Sequence, residues 1–213
     1  MKRLRHLLGS GLLCLSSLSS PAQVGLKTNL AGWGATNVNL GLEAGVGKRS
    51  TLEVMGYLNP WDFRDGRRFH LWAVQPEYRL WLSCGRGNGH FLGVHALGGQ
   101  YNARNVNFPL RSLTWGGSYD ENPLFPPGDH EGAWPDLRGA NSGRHAEGWY
   151  VGAGVTYGYQ WMLSRHWNLE ASAGAGYAYS PMKYYGRCER CVDKRRLHYA
   201  GPTNLQLSLI YIF

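Results

Sequence analysis

The sequence predicts an all-β protein, an eight-stranded antiparallel up-and-down transmembrane β-barrel with one long extracellular loop. Three observations carry this reading. The last ten residues, Asn204 to Phe213, alternate: Leu205, Leu207, Leu209, Tyr211 and Phe213 share one face, and Asn204, Gln206 and Ser208 the other. Strand side chains point to opposite faces with period two, so one face is apolar and ends in an aromatic pair, as in the closing strand of an outer-membrane barrel. At the other end, Lys2, Arg3 and Arg5 precede an apolar stretch from Leu7 to Leu18 and a small-residue site at Ser20-Pro21-Ala22. That is the pattern of an export leader over residues 1–22, with residues 23–213 as the mature barrel. Finally, Trp149 and Trp161, Trp167 and Tyr179, and Tyr199 and Tyr211 are each twelve residues apart. At ~3.3 Å per residue and a tilt of ~40°, twelve residues rise about 30 Å, the separation of two aromatic girdles across an apolar band. A soluble lipocalin-type barrel turns its apolar face inward and has no use for paired girdles.

Composition narrows the class. No apolar run is long enough for a membrane-spanning helix, and the mean hydropathy of −0.37 with 30 glycines, 13 tyrosines and 9 tryptophans suits strands whose individual signal is weak. The formal charge is +8; three of those positive charges lie in the leader. Dispersed arginines on an exported chain argue against nucleic acid as a partner. Cys14 follows the bulky Leu13, so it reads as part of the leader and not as a lipid anchor.

The strands follow from alternation bounded by Gly, Asn, Pro and charged turns. They are placed at Leu26 to Trp33, Thr36 to Val46, Thr51 to Asn59, Phe69 to Leu82, Phe91 to Tyr101, Gly148 to Leu163, Trp167 to Tyr179 and Tyr199 to Phe213. An even count returns both termini to one side. Gly47 to Ser50, Cys84 to Gly89 and Ser164 to His166 are tight periplasmic turns, whereas Asn102 to Glu147 is a long surface loop with local structure of its own. Pro76 interrupts the fourth strand, and a missing donor in a closed sheet predicts a bulge or irregularity there.

The face opposite the apolar one supplies a lumen of Lys27, Asn29, Glu43, Glu53, Gln75, Glu77, Arg79, His95, Gln160, Glu170, Asn204 and Gln206. Eight strands leave room for side chains and no aqueous channel, so these groups are expected to cross-link the wall as an ion-paired plug. Carboxylates outnumber cations in it, which predicts a shared or protonated acid.

At the outer end, Cys188 and Cys191 are read as a disulfide of an oxidising compartment. With His198 they supply only three zinc ligands, and no helix N-terminus or βαβ pattern supports thioredoxin-type chemistry. Cys84 lies across the membrane from them. No metal or cofactor is expected. Arg64, Arg67 and Arg68 in one loop, and Lys183, Arg187, Arg190, Lys194, Arg195 and Arg196 in another, are candidate contacts to the phosphates of lipopolysaccharide in the adjoining anionic leaflet. Trp115, Phe125 and Trp134 of the long loop are candidate anchors for a partner protein.

The runs Gly25-Leu26-Lys27-Thr28-Asn29-Leu30, Asn39-Leu40-Gly41-Leu42-Glu43, Asn59-Pro60-Trp61, Gln75-Pro76-Glu77-Tyr78-Arg79-Leu80-Trp81, Gly89-His90-Phe91-Leu92-Gly93, Gly148 to Gly154, Gly158-Tyr159-Gln160-Trp161 and Gly201-Pro202-Thr203 together resemble an exported Bacteroidota family of unknown function. The resemblance covers nearly all the mature chain and includes the paired cysteines. It implies an outer-membrane β-barrel of a Gram-negative bacterium, often encoded beside fimbrial genes, and supplies no catalytic residue. The expectation is therefore a monomeric, non-enzymatic barrel whose surface loops bind a cell-envelope or fimbrial partner. The rival is a lipid A-modifying acyltransferase or deacylase, for which Asp129, His130, His145, Glu147 and His198 are the available groups; no His and Ser stand in catalytic spacing.

Overall fold

Period-two alternation recurs along the chain, and the backbone follows it. The computed structural model describes residues 24–63, 66–83, 86–105, 114–115, 145–185 and 192–213. Among these, the strands are β1 (Val24–Asn29), β2 (Val38–Gly45), β3 (Ser50–Asn59), β4 (Arg68–Trp81), β5 (Gly89–Arg104), β6 (Thr114–Trp115), β7 (His145–Met162), β8 (Trp167–Tyr185) and β9 (Val192–Ile212), with one short helix, α1 (Leu30–Gly34). The eight longer strands pair antiparallel in chain order, and β1 pairs with β9, so the sheet closes on itself. The tight turns at 46–49, 82–88 and 163–166 lie at one end with both strand termini; the longer links lie at the other. The first will be called the turn end and the second the loop end. The predicted leader, residues 1–22, lies outside the described residues.

The closed sheet is turned inside out relative to a water-soluble one. Nineteen buried residues are polar and eleven are apolar among the described residues, while Leu40, Leu42, Val54, Leu92, Val155 and Leu205 stand exposed on the outer face. Alternation explains this directly, since in β4 Ala73, Gln75, Glu77, Arg79 and Trp81 point in and Trp72, Val74, Tyr78 and Leu80 point out. At the turn end, Trp167 meets Tyr211 edge to face at 5.1 Å and Tyr211 meets Phe213 at 5.2 Å. Nearer the loop end, Trp149 and Tyr179 make a similar contact at 6.2 Å.

Three expectations need correction, and a fourth, at Pro76, holds as a local irregularity without a bulge. The first strand does not run to Trp33. It stops at Asn29, whose side-chain oxygen accepts from Ala31 N at 3.0 Å and so caps α1. The same amide fastens the seam to β9 beyond the reach of β1: Oδ1 accepts from Leu207 N at 3.2 Å and Nδ2 donates to Leu205 O at 3.2 Å. A side chain thus replaces a missing ladder rung. Asn29→Leu leaves these backbone groups unpaired at ~1–3 kcal/mol each, and should lower the urea midpoint of the folded protein while Leu42→Val on the exposed outer face changes it far less.

Pro76 causes no register shift. Val54 still faces Pro76, and on the β5 side the ladder omits Gln75 and Pro76 but resumes in the same register at Glu77 and His95. The shift occurs between Gly174 and Ala175, which pair with Asn204 and Pro202 and leave Thr203 extra. That bulge reverses the parity of β9. Tyr199, opposite the buried Ala178, therefore lies on the inner face, and the expected outward pair of Tyr199 with Tyr211 does not form.

Finally, β5, β7, β8 and β9 run past their predicted limits, so the long loop begins after Arg104, and Lys183, Lys194, Arg195 and Arg196 lie on strands. The loop-end interior of these extensions is apolar, with Tyr101, Ala103, Ala146, Met182 and Leu197 packed together. Trp115 belongs to β6, which pairs with His198 and Tyr199 of β9.

Candidate functional site

Sheet register places three glutamates side by side across three strands, Glu43 opposite Glu53 and Glu53 opposite Glu77. Like charges in direct cross-strand pairs are destabilising unless cations separate them. Two do. Lys27 from β1 donates to Glu53 at 2.8 Å and to Glu170 of β8 at 2.7 Å. Arg79 from β4 binds Glu53 at 2.6 Å, Glu77 at 2.7 Å and Glu170 at 2.9 Å, with Glu43 at 3.7 Å. Lys27, Arg79 and Glu170 are completely buried. The guanidinium also lies 4.6 Å over the Phe91 ring, which faces Trp81 at 5.1 Å. Every acid of the layer is thus shared, in line with the excess of carboxylates.

The layer continues toward the loop end through neutral groups. Glu77 accepts from Thr156 at 3.1 Å and from Asn204 at 3.2 Å. His95 is held between Thr156 and Thr203, each at 2.8 Å. Glycines make the space: a Cβ on Gly93 would stand 2.6 Å from the Glu77 carboxylate, and one on Gly158 would stand 2.4 Å from the Phe91 ring. Toward the turn end, the turn after β4 folds beneath the interior, where Asn168 donates to Gly87 O at 3.0 Å.

Glu43, Glu53 and Glu170 offer oxygens within 4.8 Å of one another, close enough to bind a cation. Lys27 and Arg79 already supply the positive charge these carboxylates need. The arrangement is suited to bracing the wall: it links β1, β2, β3, β4 and β8 through one charge cluster.

The other predicted residues sit at the loop end. Arg68 is engaged in β4 by Asp62 at 2.6 Å, and that hydrogen bond holds the Asp62 carboxyl below its ordinary range. Arg67 and Arg196 are exposed. Arg64, Arg187 and Arg190, the cysteines Cys188 and Cys191, and the loop aromatics Phe125 and Trp134 lie outside the described residues, as do Asp129 and His130; Arg195 and Trp115 are described as backbone only. Of the groups considered for catalysis, His145 stacks on Tyr185 at 4.1 Å, Glu147 accepts the Tyr185 hydroxyl at 2.7 Å, and His198 bonds the Tyr177 hydroxyl. Sequence reasoning missed a cleft of about 830 Å³ at this end, bordered by Trp72, Trp149, Glu147, Lys183, Lys194 and Arg196. Lys194 and Arg196, two apart on one strand face, were its only trace in the sequence.

A family model described as Protein of unknown function (DUF3575) matches residues 9–213. No curated protein matches the chain.

Proposed function

Because the chain belongs to this family of unknown function, the structure must carry the reading, and we propose that the protein is a non-enzymatic outer-membrane barrel that holds its loop end at the cell surface to bind an envelope or fimbrial partner. The single observation behind this is the inverted distribution of polarity. A sheet closed on itself pairs most of its backbone internally, the condition for a β protein to live in lipid. Its outer face is a continuous apolar belt, far larger than a monomeric protein keeps in water. The buried charges pair with one another, as charges inside a membrane must.

Among the described residues the ion-paired layer and the turn beneath it fill the turn-end interior, and the loop end carries the larger cleft. Lys183, Lys194 and Arg196 rim the cleft there, with Trp72 and Trp149 below them. Cations just above interfacial aromatics suit the phosphates of lipopolysaccharide, whose leaflet is anionic.

Replacing residues 106–144 with a short Gly/Ser turn tests the assignment. The barrel should still form, since loop closure costs only ~0.6 kcal/mol per doubling of length. Cross-linking on whole cells should lose the partner captured by the wild type. Retention of that partner, combined with its loss in a folded Glu77→Gln variant, would move the working site into the lumen.

A further inference from the structure

Between the ion-paired layer and the apolar cluster at the loop end lies an interior cavity of about 310 Å³. Phe69, Leu71, Leu97, Tyr101 and Leu197 form much of its wall. Several of its hydroxyl groups are occupied: Tyr101 bonds Ser180 at 2.9 Å, Tyr199 donates to Pro202 O at 2.8 Å and Thr203 bonds His95 at 2.8 Å. Gln75 is different. It lines the cavity, is 7% exposed, and its Nε2 finds no hydrogen-bond partner among the described residues. A buried unpaired donor is rare enough in native proteins to require an explanation, and a ligand acceptor is one.

The wall around the cavity is unusual in a second, independent way. Pro76, Pro181 and Pro202 all lie within strands of a closed sheet, where proline is normally excluded. Each coincides with an interruption of pairing. The β4–β5 ladder omits Gln75 and Pro76, the β7–β8 ladder omits Trp149 with Pro181 and Tyr150 with Ser180, and the β8–β9 register shifts at Pro202. Residues from all three places line this one cavity: Gln75 and Leu97, Tyr150 and Ser180, Pro202 and Thr203. Unpaired backbone is costly at lipid depth, so three weak places in the wall around a single chamber mark it as more than packing slack.

We propose that the chamber binds one medium-chain fatty acyl group, its methylenes against the apolar wall and its carbonyl oxygen accepting from Gln75 Nε2. The size fits: about 310 Å³ holds about ten water-sized groups at ~30 Å³ each, hence a chain of about ten carbons. The choice of an acyl chain over other apolar molecules rests on the membrane reading above, because acyl chains are what surrounds the loosened wall in a bilayer.

The test uses the full mature protein in nanodiscs of perdeuterated phospholipid, titrated with protonated decanoic acid and read by intermolecular NOEs. Saturable contacts to the methyl groups of Leu71 and Leu97 are expected, with a 1:1 endpoint. Ala178→Phe, which fills the chamber, should abolish them. Gln75→Leu removes an unpaired group, so it should fold at least as well as the wild type and bind decanoic acid about three- to tenfold more weakly; it remains decisive if Ala178→Phe does not fold. A parallel arm with protonated-chain phospholipid and no decanoic acid asks whether lipid itself supplies the chain: inward contacts there assign a lipid source, and inward contacts only with decanoic acid assign a free fatty acid. Contacts confined to Val155 and Leu205 on the outer face, or water alone at the Gln75 amide, would overturn the proposal. Failure to enter nanodiscs at all would instead overturn the membrane reading.

Discussion

Arg79→Met should all but eliminate the folded protein. The guanidinium is fully buried and touches Glu53, Glu77 and Glu170 within 3 Å. Breaking one buried ion pair by removing a partner costs ~3–5 kcal/mol, and here a single change uncovers several carboxylates at once. Set against a total stability of ~5–15 kcal/mol, the loss is large enough to unfold the chain. The same principle predicts rescue. Arg79→Met combined with Glu43→Gln, Glu53→Gln and Glu77→Gln removes the excess negative charge and keeps the Lys27–Glu170 pair at 2.7 Å, so much of the folded form should return. The fraction of fast-migrating protein on an unheated detergent gel reports both. Normal folding of Arg79→Met alone would mean the ion-paired layer does not hold the wall.

Val155→Arg should destabilise the protein by ~2–4 kcal/mol when it is embedded in a bilayer, as for an arginine on the lipid face near the midplane of a barrel. Val155 stands in the middle of β7, between Val94 and Ala175 on the neighbouring strands, and is 64% exposed on the outer face. In water, an exposed position of this kind tolerates most substitutions within about ±0.5 kcal/mol. The size of the effect therefore reports the solvent around the belt. It is measured as the shift in urea midpoint of protein folded into vesicles, with Val155→Ala as a control that changes the same position without adding a charge. A neutral Val155→Arg would place the belt in water or against another protein.

Much of the fold was legible because a two-residue period is hard to disguise. Once Lys27, Glu43, Glu53, Glu77, Arg79 and Glu170 fall on the parity opposite Leu40, Val54, Tyr78 and Leu80, closure of the sheet brings the charges together whatever the details of the loops. What escaped the sequence depends on interactions that alternation does not encode. Leu30 to Gly34 is as apolar as a strand end, and only the capping and seam bonds of Asn29 turn it into a helix. Pro76 looked disruptive because it interrupts a clear alternating run, yet its missing donor removes only two rungs. No break in alternation around Gly201 and Pro202 marks the bulge that moves Tyr199 to the inner face. The upper strands were cut short because Lys183, Lys194 and Arg196 read as loop charges; on strands that extend past the apolar belt, charged outward residues are expected. The apolar cavity was invisible for a related reason: inward Leu71, Leu97 and Leu197 have no polar partners on the facing parity to signal an interior.

The central claim is that the closed sheet stands in the outer membrane with its apolar belt against lipid. The most direct measurement separates inner membrane, outer membrane and soluble fractions of cells and runs each with and without boiling. The account predicts that the protein appears in the outer-membrane fraction and migrates faster unheated than heated. Recovery as a soluble periplasmic protein with no heat-dependent shift would contradict it.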